Sequence, residues 1–410
     1  MLFFYNTGIF LYSLIVKLLA SSNTKARLFT EGRRDLIHRI QNSINKDDQH
    51  IWFHFASLGE FEQGRTVLEA CKKHFPSKKI VLTFFSPSGY EIRKDYAYAD
   101  YVFYLPLDTK PNAQAFIDTI QPEFVVFTKY DFWYHYFKYI KDRGIPLYLV
   151  AGTFRPNQAF FKWYGSFFRE ILKKVDFFFL QDAESGNLLD SIGLKNHICT
   201  GDTRFDRVVE NAANVKANPI VDKFTNNTET LVCGSTWPPD EVILSEAAIK
   251  FPNLKFIIAP HEVRRSRIDE IELQFPKSLR YSLAQNNNLE DISNFQTLVI
   301  DNVGMLSCIY PYGYLSYIGG GFGTGLHNTQ EPAAFGKSVI VGPDHKKFKE
   351  VAEMINLGTC KSISTAKELI EILETKQLNL ETGKIAKNFI QSKSGATQIV
   401  MSYLSNKHHS

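Results

Sequence analysis

The segment Tyr317–Pro343, YIGGGFGTGLHNTQEPAAFGKSVIVGP, decides how this chain is read. Leu315–Ile318 reads as a buried strand. Gly319, Gly320, Gly321, Gly323 and Gly325 follow as a turn whose missing side chains let backbone approach a ligand closely, with phosphate the obvious candidate. Asn328 and Thr329 suit a helix N-cap, Glu331 and Pro332 its first turn, and Gly336 its end, before a second strand, Ser338–Val341. Strand, glycine turn, short helix and strand form a compact α/β unit whose helix N-terminus offers N–H groups to an anion. The glycines alone do not separate a phosphate-binding turn from a merely tight one. Their spacing is not GxGxxG, and no ribose-binding acid follows at the usual distance.

The alternation extends outward from this unit. Leu231–Cys233, Phe256–Ala259 and Thr297–Ile300 precede it, behind a patternless stretch at 211–228 (NAANVKANPIVDKFTNNT). Before that stretch come Ile51–Phe55, Ile80–Phe84, Tyr101–Leu105, Phe124–Thr128, Leu147–Val150, Phe177–Leu180 and His197–Thr200, separated by helix-length stretches such as Glu62–His74 and Asn112–Ile120. This spacing predicts α/β architecture with two Rossmann-like, doubly wound parallel domains, and ligands at the carboxyl ends of their strands in a cleft between them. The expected division is an apolar segment at 1–22, a first domain at 23–212, a linker at 213–228 and a second domain at 229–410. A helical stretch, Leu378–Leu404, is free to pack on either domain.

A chain of 410 residues with 44% hydrophobic content and 14% aromatics has ample material for two cores and is not a disordered protein. Its net charge of +4 suits acidic ligands or an anionic surface, not a nucleic-acid coat. Cys71, Cys199, Cys233, Cys308 and Cys360 are scattered without a CxxC pair, which argues against a disulfide scaffold and a zinc site. Met1–Ala20 is apolar and aromatic, but Asn6, Thr7, Gly8 and Lys17 interrupt it, so it reads as an interfacial helix or, alternatively, a buried one. Lys25, Arg27, Arg33, Arg34 and Arg39 follow, as expected of a segment resting on anionic headgroups at the cytoplasmic side.

Post-strand loops hold the candidate chemistry. Ala56-Ser57-Leu58-Gly59-Glu60 opens a helix, and Glu60 either projects into the cleft as a carboxylate or merely complements the helix dipole. Ser88, within Ser86–Gly89, can hydrogen-bond a polar ligand. Lys129 and Asp131, in KYDFW, either serve the cleft or form a local salt bridge under an aromatic lid. In the second domain Ser235 and Thr236 follow one strand, and His261 and Arg264 another. With Gly323, Gly325, His327, Asn328 and Glu331 they gather N–H and cationic donors that suit a nucleotide phosphate. No DxD, HExxH or acid–histidine spacing suggests a metal, so a metal-free mechanism without a cofactor is expected.

SLGE at Ser57–Glu60, KYDFW at Lys129–Trp133, GDTRFDR at Gly201–Arg207, GSTWPPDE at Gly234–Glu241, APHEVRR at Ala259–Arg265 and GTGLHNTQEPAAFGKSVIVGP at Gly323–Pro343 occur in one order. In that order the chain resembles the 3-deoxy-D-manno-octulosonic acid (Kdo) transferases of lipopolysaccharide synthesis along essentially its whole length. The resemblance implies a GT-B glycosyltransferase at the cytoplasmic face of the inner membrane of a Gram-negative bacterium. CMP-Kdo would be the donor, held by the second domain, and the tetraacylated lipid A precursor (lipid IVA) the acceptor, held by the first.

The resemblance places the catalytic carboxylate on Glu60 and the CMP-binding positions on the loops of Ser235, Thr236, His261, Asn328 and Glu331. It sets Arg204 on the acceptor side with Ser57, Gly59, Ser88, Lys129 and Asp131. Two departures lie on that side: KYDFW stands where many members have ETELWP, and Ala151–Arg155 replaces an asparagine–arginine loop. The implied reaction is a single inverting displacement with Glu60 as general base. A GT-B enzyme using a UDP-sugar (a cell-wall glycosyltransferase or a sugar-nucleotide epimerase) is one alternative, and a catalytically silent membrane-associated nucleotide-sugar-binding protein is another.

Overall fold

The computed structural model describes residues 1–286 and 292–408. The chain divides into two compact units, one formed by Met1–Asp206 with the stretch from Gly395 onward, the other by Arg207–Ser394.

The first unit holds a parallel sheet of β1 (His50–Phe55), β2 (Lys79–Phe84), β3 (Tyr101–Tyr104), β4 (Pro122–Thr128), β5 (Leu147–Gly152), β6 (Phe177–Leu180) and β7 (His197–Cys199). Their order is β3-β2-β1-β4-β5-β6-β7. Strand β1, HIWFHF, is buried along its whole length, as a central parallel strand covered on both faces must be. Its alternate residues feed two separate cores: Trp52 joins Val81, Val125 and Phe127 on one face, while Ile51, Phe53 and Phe55 join Leu82, Phe84 and Val126 on the other.

The second unit repeats the plan with β8 (Thr230–Thr236), β9 (Lys255–Pro260), β10 (Ser278–Arg280), β11 (Thr297–Val299), β12 (Leu315–Ile318), β13 (Ser338–Val341) and β14 (Cys360–Ser362), ordered β10-β11-β9-β8-β12-β13-β14. The edge strands β10 and β14 escape the sequence pattern because each has only three residues, with polar members that break the apolar run. The patternless stretch 211–228 is not structureless. Asn218 caps a helix, Pro219–Thr225, by accepting from the N–H groups of Ile220 and Val221, and Val221 and Phe224 are buried.

The single helical stretch expected at 378–404 is two helices, Leu380–Lys393 and Ala396–Lys407, broken where Gly395 adopts φ 113°. The second belongs to the first unit: Val400 and Leu404 enter its core, Tyr403 stacks on Phe177 at 4.3 Å, and Thr397 bonds Thr66 at 2.9 Å. The Asp206 carboxylate caps this helix from outside, accepting from the N–H groups of Gly395 and Thr397.

Four helices open the first unit's main architecture: α1 (Leu2–Leu19), α2 (Thr24–Glu31), α3 (Leu36–Ser43) and α4 (Leu58–His74). No residue of α1 is buried, although its length and apolarity match those of a membrane-crossing helix. It is nevertheless pinned to the unit. The Tyr5 hydroxyl donates to Asp108 at 2.5 Å and accepts from the Tyr134 N–H at 3.2 Å, while His135 bonds Asn6 at 2.7 Å. Asp108 also accepts from the N–H groups of His135 and Tyr136 at the start of helix Tyr134–Asp142, so one carboxylate caps that helix and holds α1.

Replacing Asp206 by Ala leaves two helix-start N–H groups without their acceptor, a cost of about 1–2 kcal/mol. Amides of Ala396–Lys407 are therefore expected to exchange about 5–30 times faster in that variant, with Asp206→Asn recovering part of the protection, measured by native-state hydrogen exchange.

Candidate functional site

The strand order reverses between β1 and β4 in the first unit and between β8 and β12 in the second, where β11 is also inserted between β9 and β10. Loops leaving the carboxyl ends of such neighbours diverge and open a crevice, where ligands of doubly wound sheets bind.

In the first unit the β1 loop leads directly into α4. Ser57 is its N-cap: its Oγ accepts from the Gly59 N–H at 3.2 Å and its hydroxyl donates to Glu60 Oε2. This fixes the half-buried Glu60 carboxylate in the first helical turn, where the N-terminal dipole favours negative charge. Gly64 allows α4 to lie this close to the sheet, because a Cβ there would stand 2.4 Å from the Phe55 ring and 2.8 Å from Thr128 Oγ1. Gly59 has no such constraint; an added Cβ would meet only Ser57 Oγ at 3.7 Å.

Lys129 directly follows β4 in a left-handed conformation, φ 65°, a strain that persists only where surrounding structure enforces it. Burial lowers its pKa; the fields of Glu60 and Asp202 oppose the shift, and those of Arg204 and Arg155 add to it. Glu60, Lys129, Asp202, Arg204 and Arg155 therefore share one electrostatic neighbourhood. Arg204 clasps Asp202 Oδ2 through Nε at 2.9 Å and Nη2 at 2.6 Å, and the Thr203 hydroxyl ties this loop to α4 at the Gln63 carbonyl.

Asp131 does not pair with Lys129, so the local salt bridge open to the sequence reading is absent. Its partner is His54, fully buried on β1, whose Nε2 lies 2.7 Å from Asp131 Oδ2. His54 Nδ1 lies 2.8 Å from Thr83 Oγ1, which also accepts from Trp52 Nε1 at 2.8 Å. This buried relay ties the KYDFW loop to the floor of the sheet. A histidine inside an otherwise apolar buried strand was the available signal, since such a group needs a partner. Ser88 is exposed and bonded to Ser86 at 3.1 Å.

In the second unit Asp240 holds the two diverging loops together. Fully buried, it accepts from the Tyr317 hydroxyl at 2.7 Å, the Gly320 N–H at 3.0 Å and the Trp237 N–H at 2.9 Å. Burial raises its pKa against the opposing pull of these donors. A Cβ on Gly319 would stand 2.3 Å from the Ser235 carbonyl oxygen, so the β12 turn is glycine-rich partly to pass the β8 loop. Ser235 sits at the break in β8–β9 register with φ 53°. Gly323 and Gly325 differ from Gly319: both are exposed with φ above 100° and open space around them.

Loops after β8, β9 and β12 bring three rings together. Trp237 stacks on His261 at 4.6 Å and 22°, and His261 meets His327 at 4.5 Å. His261 is exposed, leaving it accessible to a planar or anionic group. Asn328 Oδ1 accepts from the Gln330 N–H at 2.9 Å and its amide donates to Glu331 at 3.3 Å. The expected helix behind them, Gln330–Ala334, is a single short turn, and Thr329 contributes no side-chain cap. The Thr236 hydroxyl is buried and donates to Glu241 at 2.8 Å. Arg267 is committed to Glu241 and Glu270, and exposed Arg264 pairs with Glu262. The basic loop therefore presents less free charge than its sequence suggests. Among the described residues no group of three or more His, Cys, Asp or Glu is arranged to hold a metal.

Burial, followed by the charge of His261, lowers the His327 pKa. The unfolded chain binds this proton more readily, so the site's contribution to stability falls as pH drops through about 6.5. The His327 ring C–H resonance is expected to titrate below the ordinary histidine range, and His261→Ala to move its midpoint upward without restoring it fully, followed by NMR.

Residues 30–207 match the family model for 3-Deoxy-D-manno-octulosonic-acid transferase (kdotransferase). The chain is 26% identical over 339 residues to the 3-deoxy-D-manno-octulosonic acid transferase of Aquifex aeolicus, covering 80% of this chain and 87% of that protein. It is 23% identical over 349 residues to a bifunctional glycosyltransferase/methyltransferase of Fusobacterium nucleatum, covering 80% of this chain and 53% of that protein, so it spans about half of that relative's length. The UDP-GlcNAc 2-epimerase of Neisseria meningitidis, solved bound to UDP-GlcNAc, matches with a TM-score of 0.56 at 16% identity, over 87% of this chain and 100% of that one, a likeness of fold alone. Residues 30–207 thus match the family model of the 3-deoxy-D-manno-octulosonic acid transferases, most of the chain is similar in sequence to proteins of that name, and its two parallel α/β units share the fold of the UDP-GlcNAc 2-epimerase.

Proposed function

We propose that this protein transfers Kdo from CMP-Kdo to a hydroxyl of the lipid A precursor, at the cytoplasmic face of the inner membrane. The observation that carries this reading is the placement of Glu60. It is a carboxylate oriented by Ser57 at the strand-order reversal of the unit that matches the family model, beside Lys129.

In the proposed inverting displacement, Glu60 accepts the acceptor hydroxyl's proton as the oxygen bonds to the anomeric carbon and the bond to the CMP phosphate breaks. The hydroxyl of Ser57 engages Oε2, which leaves Oε1 as the basic atom. Lys129 lies in the field of this carboxylate, which opposes the lowering of the Lys129 pKa by burial. On the donor side, the open glycines at 323 and 325 and the exposed His261 suit a phosphate whose charge grows as CMP leaves. Glu331, tied to Asn328, is better suited to ribose hydroxyls than to a second anion. Ser235, Thr236, Arg264 and His327 shape the same loop cluster, Thr236 through Glu241 and not by an open hydroxyl.

The exposed apolar face of α1, with Phe3, Phe4, Phe10, Leu14 and Leu18 outward, supports docking on a bilayer. Contacts from Tyr5 to Tyr12 hold this helix against its unit and favour an interfacial position.

Incubated with CMP-Kdo and the lipid A precursor, the protein is expected to yield an acceptor heavier by one or more Kdo masses, read by mass spectrometry. Turnover of a UDP-sugar without Kdo transfer would overturn this reading. Glu60→Gln should lower kcat by about 10²–10⁴-fold with CMP binding unchanged by calorimetry; retained turnover would remove Glu60 as the base.

A further inference from the structure

Beneath α1 the first unit holds a cavity of about 770 Å³, built by α1, α2, α3 and the Pro106–Asn112 segment that follows β3. None of the residues placed in the catalytic or donor sites lines it. Its walls combine two chemistries. Val16, Phe29, Leu36 and Leu107 are apolar, while Lys17, Arg33, Arg34 and His38 are basic, against Asp35 as the one lining carboxylate.

Arg33 is the key to this cavity. Its guanidinium lies 3.6 Å over the Phe29 ring and donates to three carbonyl oxygens: Leu105 at 2.9 Å, Phe29 at 3.2 Å and Phe85 at 2.7 Å. All three acceptors are neutral. Among the described residues no carboxylate forms an ion pair with Arg33, Arg34 or Lys17. Burial lowers the Arg33 pKa to about 10, which expresses the same lack of counter-charge. A cation held among aromatic rings without an acid leaves an electrostatic demand that an anionic ligand can meet, with N–H groups still available on a five-donor fork. The apolar wall adds a second requirement. Val16 on α1 faces the cavity, while Phe10, Leu14 and Leu18 of the same helix are exposed on its outer side. A ligand matching both features carries a negative head and a hydrocarbon chain.

We propose that this cavity binds the phosphate-bearing headgroup of an acylated lipid, with Arg33, Arg34 and Lys17 as its anion partners and α1 as the wall against which the chain lies. Two sources share this chemistry: a bilayer glycerophospholipid, and a phosphate-bearing lipid acceptor. The second rests on the reaction proposed above.

The experiment uses the full-length protein and three variants. Lys17→Ala with Arg34→Ala removes two exposed cations from the cavity, Ser13→Phe fills it without changing charge, and Lys216→Ala with Lys367→Ala removes two exposed cations of the second unit, outside it. Thermal melting checks that each folds. Flotation with phosphatidylcholine vesicles containing phosphatidylglycerol reads the first source, and the KM for the lipid acceptor in phospholipid-free neutral detergent micelles reads the second.

The two cavity variants are expected to weaken vesicle binding, or raise the acceptor KM, by about tenfold or more, one by removing cations and the other by occupying the space. The KM for CMP-Kdo and the behaviour of the outside variant should not change. Equal losses in the outside variant would mean diffuse surface attraction and overturn the proposal, as would the absence of any change in either cavity variant. If wild-type protein transfers no Kdo, the proposed reaction fails while flotation still decides the cavity.

Discussion

A parallel strand can be followed by another only through a crossover, and when successive crossovers pass to opposite sides of the first strand, two neighbouring loops must part at their carboxyl ends. Both sheets here are wound this way, with β1 and β4 diverging in one and β8 and β12 in the other. Backbone exposed at such a gap needs restraint, and in each unit a carboxylate supplies it. Asp131 reaches the buried His54 on β1. Asp240 accepts one N–H, from Trp237, in the β8 loop and a hydroxyl and an N–H, from Tyr317 and Gly320, in the β12 strand and turn. The polar groups projecting from these gaps, Glu60 and Lys129 in the first unit and His261 and Asn328 in the second, are therefore held by rigid elements.

Desolvation accounts for the direction of the site's electrostatics. It lowers Lys129 and His327 and raises Asp240, each moving toward its neutral form. For Lys129 the adjacent carboxylates Glu60 and Asp202 resist this, so the first-unit site balances burial against attraction. For His327 the neighbouring His261 reinforces it, which favours an unprotonated His327 ring beside the exposed stacking surface. Strained backbone at Lys129 and Ser235 lies at the same strand ends, where packing rather than local preference sets the conformation.

The aromatic content noted in the sequence has a structural use beyond bulk. Trp52 packs edge-on against Phe116 and Phe127 in one core, and the Phe55, Phe61 and Phe84 rings meet in the other. The same type of contact extends to α1, where Tyr12 lies 6.1 Å from Phe85, which in turn lies 4.7 Å from Trp133. Through these rings and the Tyr5–Asp108 bond, α1 touches the KYDFW segment and the helix after it. The helix is thus integrated with the loop that contains Lys129 and Asp131.

Sequence by itself determined the two-sheet α/β architecture, most strand positions, the Glu60 loop and the loops of the second unit. These follow from local quantities: apolar runs of strand length, turn residues at their ends and capping residues at helix starts. Partner choice was not legible. His54 with Asp131 and Tyr317 with Asp240 each span 77 residues, and Tyr5 with Asp108 spans 103. Nothing local to either member of such a pair specifies the other. The turn from Gly319 to Gly325 likewise looks uniform in sequence, yet only the folded structure separates the glycine that passes the β8 loop from those with open space around them. Tertiary structure also reduced the apparent charge of the basic loop, by turning Arg267 inward to Glu241. Periodicity is a property of neighbours along the chain, whereas hydrogen-bond partners and free charge depend on which distant segments packing brings together.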